Sequence, residues 1–581
     1  MRLILFPLLT ITLMGCGSST KNTSIQGQLS GTSIQGLSYQ TPSISGTTDS
    51  NGAFKYQAGE SIQFSVGATL VGENVPAQTQ LAIHDLLPKT VLYTDYAHLQ
   101  HVYAQPYKSP IRGVFNQFHN TLAFLYSLDN DANPDNGINI PAGVNDLMLN
   151  TQIDFNQNVK GFTGKDQSRW GDGNEPLRRI THQATEQGLL SRGTISSYGL
   201  AIEHYYQANN IEHNLQIDTI VSIDTDLNQI PDSITTYEYN ANGQRTRYTE
   251  DNNGDGNLNK ITVTSYNNNN RYLSQHRDDN GDGTVNSIDT YTLGIYGNTI
   301  KHQADSNADQ TPDNIYHTEY DKYGHEVLSS TDDNADGTPE RIDIIIYEGN
   351  TISYQTDDNG DEIIDKTNIE TLDENGNIIL STDYVGDAIA NNLQPSAIHT
   401  YTYDENNNQL TRRSDYDGNG IINAGDRVYT LTYNNDNYRL TESRDSDGDG
   451  LVDQIYSNEY NAMGFNTLSA TDEGADGNID YSFSNSYNEQ GYKTGYQSDN
   501  NGDGTPNRID TYSYDENGNR IRFEYDRDGN GQADTIYTYT YNDYGNLVTK
   551  SEDSNGDDQV NKITTYTNSA SVFRTVLDEF N

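Results

Sequence analysis

The chain has 581 residues, and its 83 acidic side chains against 34 Lys and Arg give a formal net charge of −49 at pH 7. A chain this acidic repels a phosphate backbone, so nucleic acid is not expected as a partner. Hydrophobic residues make up only 33%, which alone is typical of disorder, and the single cysteine excludes an internal disulfide. The length predicts two or three structural units, and the self-repulsion favours bound cations.

Residues 1–15 have the pattern of a secretion signal, with Arg2 before an apolar run. The run ends in Leu-Met-Gly-Cys, which resembles a bacterial lipobox, in which the cysteine (here Cys16) is lipidated and becomes the mature N-terminus. An ordinary signal peptide with a chance cysteine is the alternative. By the same resemblance, Gly17 directs the protein to the outer membrane. No other run reaches 18 apolar residues, so we expect the membrane as a partner through the N-terminal lipid only.

Two segments of different composition follow. Residues 16–31 are rich in Ser, Thr, Asn, Gln and Gly and predict a flexible tether. In 32–84, apolar residues alternate with polar ones, as at Phe54, Tyr56 and Ile62, which predicts a small antiparallel β domain, sandwich-like in form. This segment resembles the short β modules near the N-terminus of proteobacterial surface lipoproteins.

Residues 85–215 predict a mostly helical module. Helical spacing of apolar residues covers 116–128, and 175–190 and 197–207 also predict helices. The first of these helices runs into the acidic stretch 129–138, which alternates Asp and Asn with other residues. Two interpretations stay open there: a calcium-binding loop of its own geometry, or a turn that ends the helix.

From 216 to 568 one pattern returns with a 27-residue period, in eight of the eleven steps between its clear copies. Self-similarity at a fixed period indicates a repeat architecture. A further copy at Asp383 is degraded. The first acidic residues of the twelve clear copies are Asp224, Asp251, Asp278, Asp305, Asp332, Asp357, Asp415, Asp445, Asp472, Asp499, Asp526 and Asp553.

The first half of each unit carries oxygen-bearing side chains at positions 1, 3, 5 and 9, with Gly common at position 6. Alternate residues of a tight loop can direct six to eight oxygens at one Ca²⁺, and Gly permits the sharp turn. The loops are not EF-hands, because position 12 is often Thr or Tyr. The alternative is that Asp, Asn and Gly simply make solvated turns.

The predicted cofactor is therefore Ca²⁺, and its ligands share these four positions. They are Asp224, Asp226, Asn228, Asp232, Asp251, Asn253, Asp255, Asn259, Asp278, Asn280, Asp282, Asn286, Asp305, Asn307, Asp309, Asp313, Asp332, Asn334, Asp336, Glu340, Asp357, Asn359, Asp361, Asp365, Asp415, Asp417, Asn419, Asn423, Asp445, Asp447, Asp449, Asp453, Asp472, Asp476, Asp480, Asp499, Asn501, Asp503, Asn507, Asp526, Asp528, Asn530, Asp534, Asp553, Asn555, Asp557 and Asn561.

The second half of each unit predicts a β-hairpin. Ile recurs at position 11 and Tyr at positions 14 and 16, as in Ile509, Tyr512 and Tyr514, and residues two apart share one face of a strand. Gly at position 20, such as Gly518, supplies the positive φ that a tight hairpin turn needs. We expect the tyrosines to pack across strands.

These features predict a mainly β chain dominated by an elongated tandem array of β-hairpins, which would extend roughly 120 Å at two strands per unit. The predicted organisation is signal peptide 1–15, tether 16–31, β domain 32–84, helical module 85–215, calcium-loop hairpin repeats 216–568 and C-terminal tail 569–581.

The repeats also resemble known families. The acidic half looks like the calcium loops of thrombospondin type 3 repeats and, less closely, of dockerins. The hairpin half, with Tyr514-Asp-Glu-Asn-Gly-Asn519, is similar to the YD repeats of bacterial RHS proteins. Together the resemblances cover about 216–568 and imply an extracellular β-structure.

The expected function is that of a lipid-anchored outer-membrane protein, exposed on the cell surface, with an adhesive or structural role and a glycan or cell-surface ligand. No H-E-x-x-H, G-x-S-x-G or phosphate-binding Gly loop is present, so an enzyme is not expected and no catalytic residue is assigned. Two alternatives remain: a hydrolytic site within 85–215 carried on the repeats as a stalk, or an inert spacer or periplasmic scaffold.

Overall fold

A computed structural model describes residues 24–106, 108–163, 174–196, 198–241, 243–267, 271–294, 298–322, 325–387 and 393–570. The predicted signal peptide and Cys16 lie outside these residues, as does the tail from 571 onward. Within them, no helix combines the length and the apolar character needed to cross a membrane.

The N-terminal strands form three small sheets. Their bounds are β1 Ile25–Leu29, β2 Ile34–Gln35, β3 Ser38–Gln40, β4 Ser45–Thr47, β5 Ala53–Tyr56, β6 Ser61–Val66, β7 Thr69–Pro76, β8 Gln80–Leu81 and β9 Ile138–Asn139. The sheets are ordered β5-β1-β8, β4-β3-β6-β7 and β2-β9. Strand β6 buries every second residue, as its alternating sequence predicts.

Six α-helices follow the first eight strands. They are α1 Tyr96–Ala104, α2 Pro110–Ser127, α3 Ala142–Leu147, α4 Val159–Thr163, α5 Glu175–Glu186 and α6 Tyr198–Ala208, with short 3₁₀ turns at Ile83–Leu86 and Pro134–Asn136. Helix α2 begins where its sequence dictates. The Ser109 hydroxyl accepts a hydrogen bond from the Arg112 backbone N–H, and Pro110 occupies the first helical position.

One hydrophobic core joins the β and helical segments. It runs from Leu29 to Ile217, and the fully buried Phe64 and Phe124 both belong to it. The parallel pairing of Ile34 with Ile138 ties the two segments together directly. We refer to residues 24–215 as the N-terminal module. Strand β1 begins at residue 25, so the segment expected to be a tether through 31 is partly a strand of this module.

The repeats form 26 strands. They are β10 Gln216–Asp224, β11 Ser233–Tyr239, β12 Arg245–Asp251, β13 Lys260–Tyr266, β14 Tyr272–Asp278, β15 Ser287–Leu293, β16 Thr299–Asp305, β17 Asn314–Tyr320, β18 Glu326–Asp332, β19 Arg341–Glu348, β20 Thr351–Asp357, β21 Lys366–Leu372, β22 Ile378–Val385, β23 Ala397–Tyr403, β24 Gln409–Asp415, β25 Arg427–Tyr433, β26 Arg439–Asp445, β27 Gln454–Tyr460, β28 Asn466–Glu473, β29 Tyr481–Tyr487, β30 Lys493–Asp499, β31 Arg508–Tyr514, β32 Arg520–Asp526, β33 Thr535–Tyr541, β34 Leu547–Asp553 and β35 Lys562–Ala570.

These strands close into one antiparallel barrel, so the predicted elongated array is wrong, although the chain is mainly β as expected. The first strand β10 pairs with the last strand β35, from Gln216 opposite Ala570 to Asp224 opposite Ile563. Because every strand twists and is offset against its neighbour in the same sense, a long uniform array curves until its edges meet.

The two ends of the barrel differ in sequence. All acidic loops connect β10 to β11, β12 to β13 and so on through β34 to β35, so they lie at one end. The tight turns of the hairpins, such as Asn434–Tyr438 and Asp515–Asn519, lie at the other. We call these the loop end and the turn end.

A ladder of tyrosines joins most units to the one before near the turn end. The hydroxyl of Tyr514 donates to the Lys493 carbonyl at 2.7 Å, and that of Tyr541 donates to the Arg520 carbonyl at 2.8 Å. The ring of Tyr492 stacks on that of Tyr514 at 5.0 Å. The predicted cross-strand packing of tyrosines is therefore present, with a hydrogen bond added at its polar end.

The N-terminal module covers the turn end. Lys108 Nζ donates to the Asn437 carbonyl at 2.8 Å, and the ring of His101 meets Tyr492 edge-on at 5.3 Å. The side chain of Tyr239 packs against the module's core. Where the chain passes from the module into the barrel, Oε1 of Gln216, the first residue of β10, accepts a hydrogen bond from Asn542 Nδ2 at 2.9 Å. Because these turns belong to strands spread around the barrel, the module spans its mouth.

Barrel closure can be tested with a disulfide across the seam. Ser222 and Thr565 are partners on β10 and β35, so a Ser222→Cys, Thr565→Cys chain, made in a Cys16→Ser background, should form an intramolecular disulfide under mild oxidation. Non-reducing electrophoresis after proteolysis measures it. The matched control pairs Ser222→Cys with Thr430→Cys, which lies on β25 far around the barrel and should stay reduced. Seam cysteines that stay reduced would contradict closure.

Candidate calcium loops at one end of the barrel

Each acidic loop is built around the aspartate that ends the incoming strand. In the loop that begins at Asp445, its carboxylate accepts the backbone N–H of Gly448 at 2.7 Å and of Gly450 at 2.9 Å. Asp445 is only 8% exposed, and most of its counterparts are similarly buried. The first aspartate therefore shapes the loop by satisfying backbone donors that the sharp turn leaves without strand partners.

Positions 4 and 6 both require left-handed backbone. Gly448 has φ of +76° and Gly450 has φ of +89°. A Cβ on Gly450 would meet open space, whereas one on Gly448 would overlap the Asn423 carbonyl of the preceding loop. The sequence reasoning recognised the glycine of position 6 but not that of position 4. Glycine recurs at position 4 in eight loops, and this recurrence was the sequence signal for its role. Without a side chain at this position, adjacent loops can pack closely into one rim.

The remaining predicted ligands also accept hydrogen bonds within their own loop. Asp453 accepts the N–H of Ser446 at 2.6 Å, and Asp447 accepts the N–H of Asp449 at 3.2 Å. Asp449 accepts the N–H of Leu451 at 2.8 Å. These bonds give the loop a defined shape without a metal, and each carboxylate still has lone pairs to offer.

Positions 1, 3 and 9 converge in three loops. One carboxylate oxygen from each residue lies within 4.8 Å of the other two in the groups Asp224, Asp226 and Asp232; Asp445, Asp447 and Asp453; and Asp526, Asp528 and Asp534. These are the loops with aspartate at all three positions. Asp449, the carboxylate at position 5, is not in its group. The geometry thus supports a three-residue cage, to which carbonyls or water would add the further oxygens Ca²⁺ needs.

The loop that begins at Asp224 contains a carboxylate oxygen without a hydrogen-bond donor among the described residues. Its Oδ1 is buried and accepts no hydrogen bond from the part of the chain that the structure describes. In the same loop, hydrogen bonds from Thr225 lower the pKa of Asp232, so that its carboxylate stays ionised at neutral pH. A buried anionic oxygen, in a carboxylate that lies close to two others, is costly without a cation.

In the loops rich in Asn, the same positions are occupied by amides. Asn507 accepts the N–H of Asn500 at 2.5 Å, as Asp453 does for Ser446, so the fold of the loop is the same. Hydrogen bonds from Thr505 and Asn501 lower the pKa of Asp503. These loops have the same shape but less charge to attract a cation.

The loop that begins at Asp415 departs from the predicted pattern. Asn423 was expected at position 9, but the N–H of Tyr416 is accepted by Asp426 at 2.8 Å. Asp426 also accepts the N–H of Asn423 at 2.7 Å and is 2% exposed. The step from Asp415 to the next copy is 30 residues, which indicates that this loop is three residues longer than the others. The hydrogen-bonding role of position 9 therefore falls to Asp426.

The N-terminal module was the predicted location of a rival hydrolytic site. A polar cluster lies there: the Tyr126 hydroxyl is 2.8 Å from His204 Nδ1 and 3.1 Å from Thr32 Oγ1, and His204 Nε2 is 3.4 Å from Asp135. Thr32 and Tyr126 are buried, and burial raises the pKa of Tyr126 above its usual range. Thr32, Tyr126 and the partly buried His204 satisfy one another, as in a structural network, whereas Asp135 is exposed.

Helix α2 buries a second set of polar side chains. His119 Nδ1 lies 2.8 Å from the Phe115 carbonyl, and the His119 ring packs on that of Phe115 with centroids 3.9 Å apart. Asn120 donates to the carbonyls of Phe155 and Gln157 at 3.0 and 2.6 Å. Burial lowers the pKa of His119 to about 4, so the imidazole is neutral at neutral pH.

No protein-family model and no curated protein matches the chain. Among solved structures, a TcdB2–TccC3–Cdc42 crystal structure matches with 15% identity over 57% of this chain and 19% of that one, at a TM-score of 0.28. A Photorhabdus luminescens Tc holotoxin pore matches with 16% identity over 59% and 19%, at 0.31. This chain spans about a fifth of those chains.

A porin-like protein from Bacteroides uniformis is similar at 10% identity over 54% of this chain and 96% of that one, with a TM-score of 0.15. TM-scores this low do not establish a common fold, and they carry no conclusion about activity or partners. The resemblance of the hairpins to RHS repeats stays a resemblance, and the lipoprotein and thrombospondin parts stay predictions.

Charge at position 3 should decide how strongly a loop binds Ca²⁺. Asp447→Asn keeps an acceptor for the Asp449 N–H but removes one of three converging carboxylates, so the affinity of that loop should fall about tenfold or more. Without calcium, its stability should be unchanged or slightly higher, because repulsion is relieved. Isothermal titration and thermal unfolding measure the two effects.

The reciprocal change is Asn501→Asp, which adds a carboxylate to an Asn-rich loop and should strengthen its binding of calcium. If neither substitution alters calcium binding, the loops are hydrogen-bonded turns and the calcium prediction fails.

Protonation of His119 should destabilise the N-terminal module in acid. The pKa is about 4 in the folded chain and 6.5 ordinarily, so the unfolded chain takes up the proton first. Stability is fully present above pH 6.5 and falls, by about 3 kcal/mol for this group, as the pH drops to 4. Denaturant unfolding of the wild type and His119→Gln at pH 7 and 4.5 measures it. The variant should show a smaller acid loss, and equal losses would contradict the assignment.

Proposed function

We propose that the chain is a lipid-anchored protein of the bacterial outer membrane whose calcium-binding barrel has an adhesive or surface-structural role. The observation that carries the proposal is the separation of its two ends. The N-terminal module covers the turn end, and the acidic loops form a rim at the opposite end. The predicted anchor, Cys16, precedes the first strand of that module by nine residues.

This separation favours presentation of the loop rim away from the membrane. A lipid on the module side of the barrel leaves the loops on the far side free for contact with solvent and partners. The short spacer between Cys16 and Ile25 keeps the module close to the lipid surface. A rim held at a fixed distance from the membrane suits a contact with another cell or with extracellular glycan.

Calcium gives the rim its stability in this proposal. Converging carboxylates such as Asp526, Asp528 and Asp534 repel one another, and neighbouring loops around the closed rim add to that repulsion. Extracellular calcium at millimolar concentration is sufficient for weak modules. Binding to the folded loops alone would stabilise the barrel by linkage. Bound Ca²⁺ at an exposed rim would also offer open coordination positions to carboxylates or hydroxyls of a glycan.

The absence of enzymatic activity stays a prediction. The polar cluster of Tyr126 and His204 is the strongest alternative centre in the N-terminal module, and its burial favours a structural role. The inert spacer or periplasmic scaffold differs from the proposed role only in lacking a ligand. A binding experiment therefore separates them.

Calcium-dependent adhesion through the loop end is the test. Cells that display the full chain should attach to glycan-coated or cell-coated surfaces several-fold better than cells carrying Cys16→Ser, which should also lose the protein from the outer-membrane fraction. Chelation should abolish attachment, and Asp447→Asn combined with Asp528→Asn should reduce it, because both remove rim carboxylates.

The matched control removes equal charge at the opposite end. Glu516→Gln with Asp543→Asn neutralises two exposed turn residues and should leave attachment unchanged. Attachment that is equal for all these cells, with or without calcium, would favour the spacer. Retention of the Cys16→Ser protein in the membrane fraction would contradict the anchor.

A further inference from the structure

The loop that follows helix α2 contains a carboxylate of unusual burial. Asp129 lies two residues beyond the end of α2 and is 2% exposed, packed at the edge of the module's hydrophobic core. Its Oδ1 accepts the backbone N–H of Asn139 at 3.0 Å. Its Oδ2 is buried and accepts no hydrogen bond from any residue that the structure describes. Desolvation of an anionic oxygen without a donor is among the costliest arrangements in a core.

A second carboxylate lies beside this oxygen. The carboxyl groups of Asp129 and Asp131 are close enough to interact as hydrogen-bonding partners, yet when both are ionised neither has a proton to give. Asp131 is exposed, and it is oriented by its own loop: its Oδ1 accepts the N–H of Asn133 at 3.0 Å and its Oδ2 accepts from Asn136 Nδ2 at 2.8 Å. Two like charges are thus fixed next to each other.

Arg192, which interacts electrostatically with Asp129, does not neutralise the pair. The charge of Asp129 acts on Arg192, but the Nη2 of Arg192 donates to the Tyr126 carbonyl at 3.2 Å. No ion pair between Arg192 and Asp129 forms within 4.0 Å among the described side chains. His204 interacts with Asp135, further along the loop. The pair of Asp129 and Asp131 therefore still needs a positive charge.

The loop itself is rigid enough to hold an ion. The N–H of Asn130 donates to the Asn139 carbonyl at 3.0 Å, and the N–H of Ser191 donates to the Asn130 carbonyl at 2.8 Å. Ala132, which lies between Asp131 and Asn133, adopts a left-handed φ of 58°. Both ends of the loop are thus fixed to the module, which reduces the entropy cost of closing a binding site.

We propose that Asp129 and Asp131 bind a divalent cation of the calcium type, in a site separate from the loops of the barrel. The cation lies between the buried Asp129 Oδ2 and the Asp131 carboxylate, on the solvent side of the loop. Water completes the oxygen coordination there, because the neighbouring loop residues are exposed. The ion joins Asp129, just beyond the end of α2, to Asp131 in the loop, and its binding does not depend on whether the barrel loops take calcium.

Hydrogen–deuterium exchange of the full chain, read by mass spectrometry, localises the effect. Calcium at 0 and at about 5 mM, the range in which weak extracellular sites fill, is the probe. Peptides covering 129–139 should exchange at least threefold more slowly with calcium. Asp131→Asn is an exposed substitution whose amide oxygen can still accept the Asn133 N–H, although the bond from Asn136 Nδ2 is lost. It should abolish that slowing while the barrel loops, such as 445–453, behave as in the wild type.

The matched control is Asp154→Asn. Asp154 makes a similar exposed turn in the same module, accepting the N–H of Asn156 at 2.9 Å, but has no neighbouring carboxylate in the contacts of its turn. It should leave the slowing intact. Unchanged exchange of 129–139 with calcium would overturn the proposal, and so would a slowing that survives Asp131→Asn, since it would then be transmitted from elsewhere.

Discussion

The architecture depends on the pairing of backbone N–H and C=O groups along strand edges. A linear array of hairpins leaves two exposed edges, whereas pairing β10 with β35 leaves none in the barrel. Because the units share one strand pattern and pairing, the offset between adjacent strands accumulates, and thirteen acidic loops fall at one end. The closed barrel then determines the positions of the loops at one end, of the turns at the other end and of the N-terminal module that covers those turns.

The first aspartate of each loop supports this strand pairing whether or not an ion is bound. By accepting backbone donors such as the N–H of Gly450, it lets a strand reverse direction at a fixed register. The proposed metal binding would use the same atoms, and we expect it to be strongest where Asp also occupies positions 3 and 9. This explains why loops of very different charge keep one shape, as Asp453 and Asn507 illustrate.

Sequence periodicity predicted the local structure well and the closure not at all. Ile and Tyr at fixed offsets identify hairpins because side-chain alternation is a local property. Closure depends on a small offset and twist per strand that no single residue encodes. The sequence pattern also did not predict that the β and helical segments share one core, since the pairing of Ile34 with Ile138 links residues far apart in sequence. Asp426 was missed because a fixed position number was applied to a lengthened loop.

The distribution of polar groups gives the molecule a direction. The turn end is in contact with the N-terminal module: Lys108 donates to the Asn437 carbonyl, and the rings of His101 and Tyr492 pack edge to face. The loop end keeps its carboxylates together, and together they raise the local negative potential beyond what any one loop produces. The converging carboxylates therefore lie at the end of the barrel opposite the N-terminal module. Charge at that end also keeps two barrels from meeting rim to rim unless a cation lies between them.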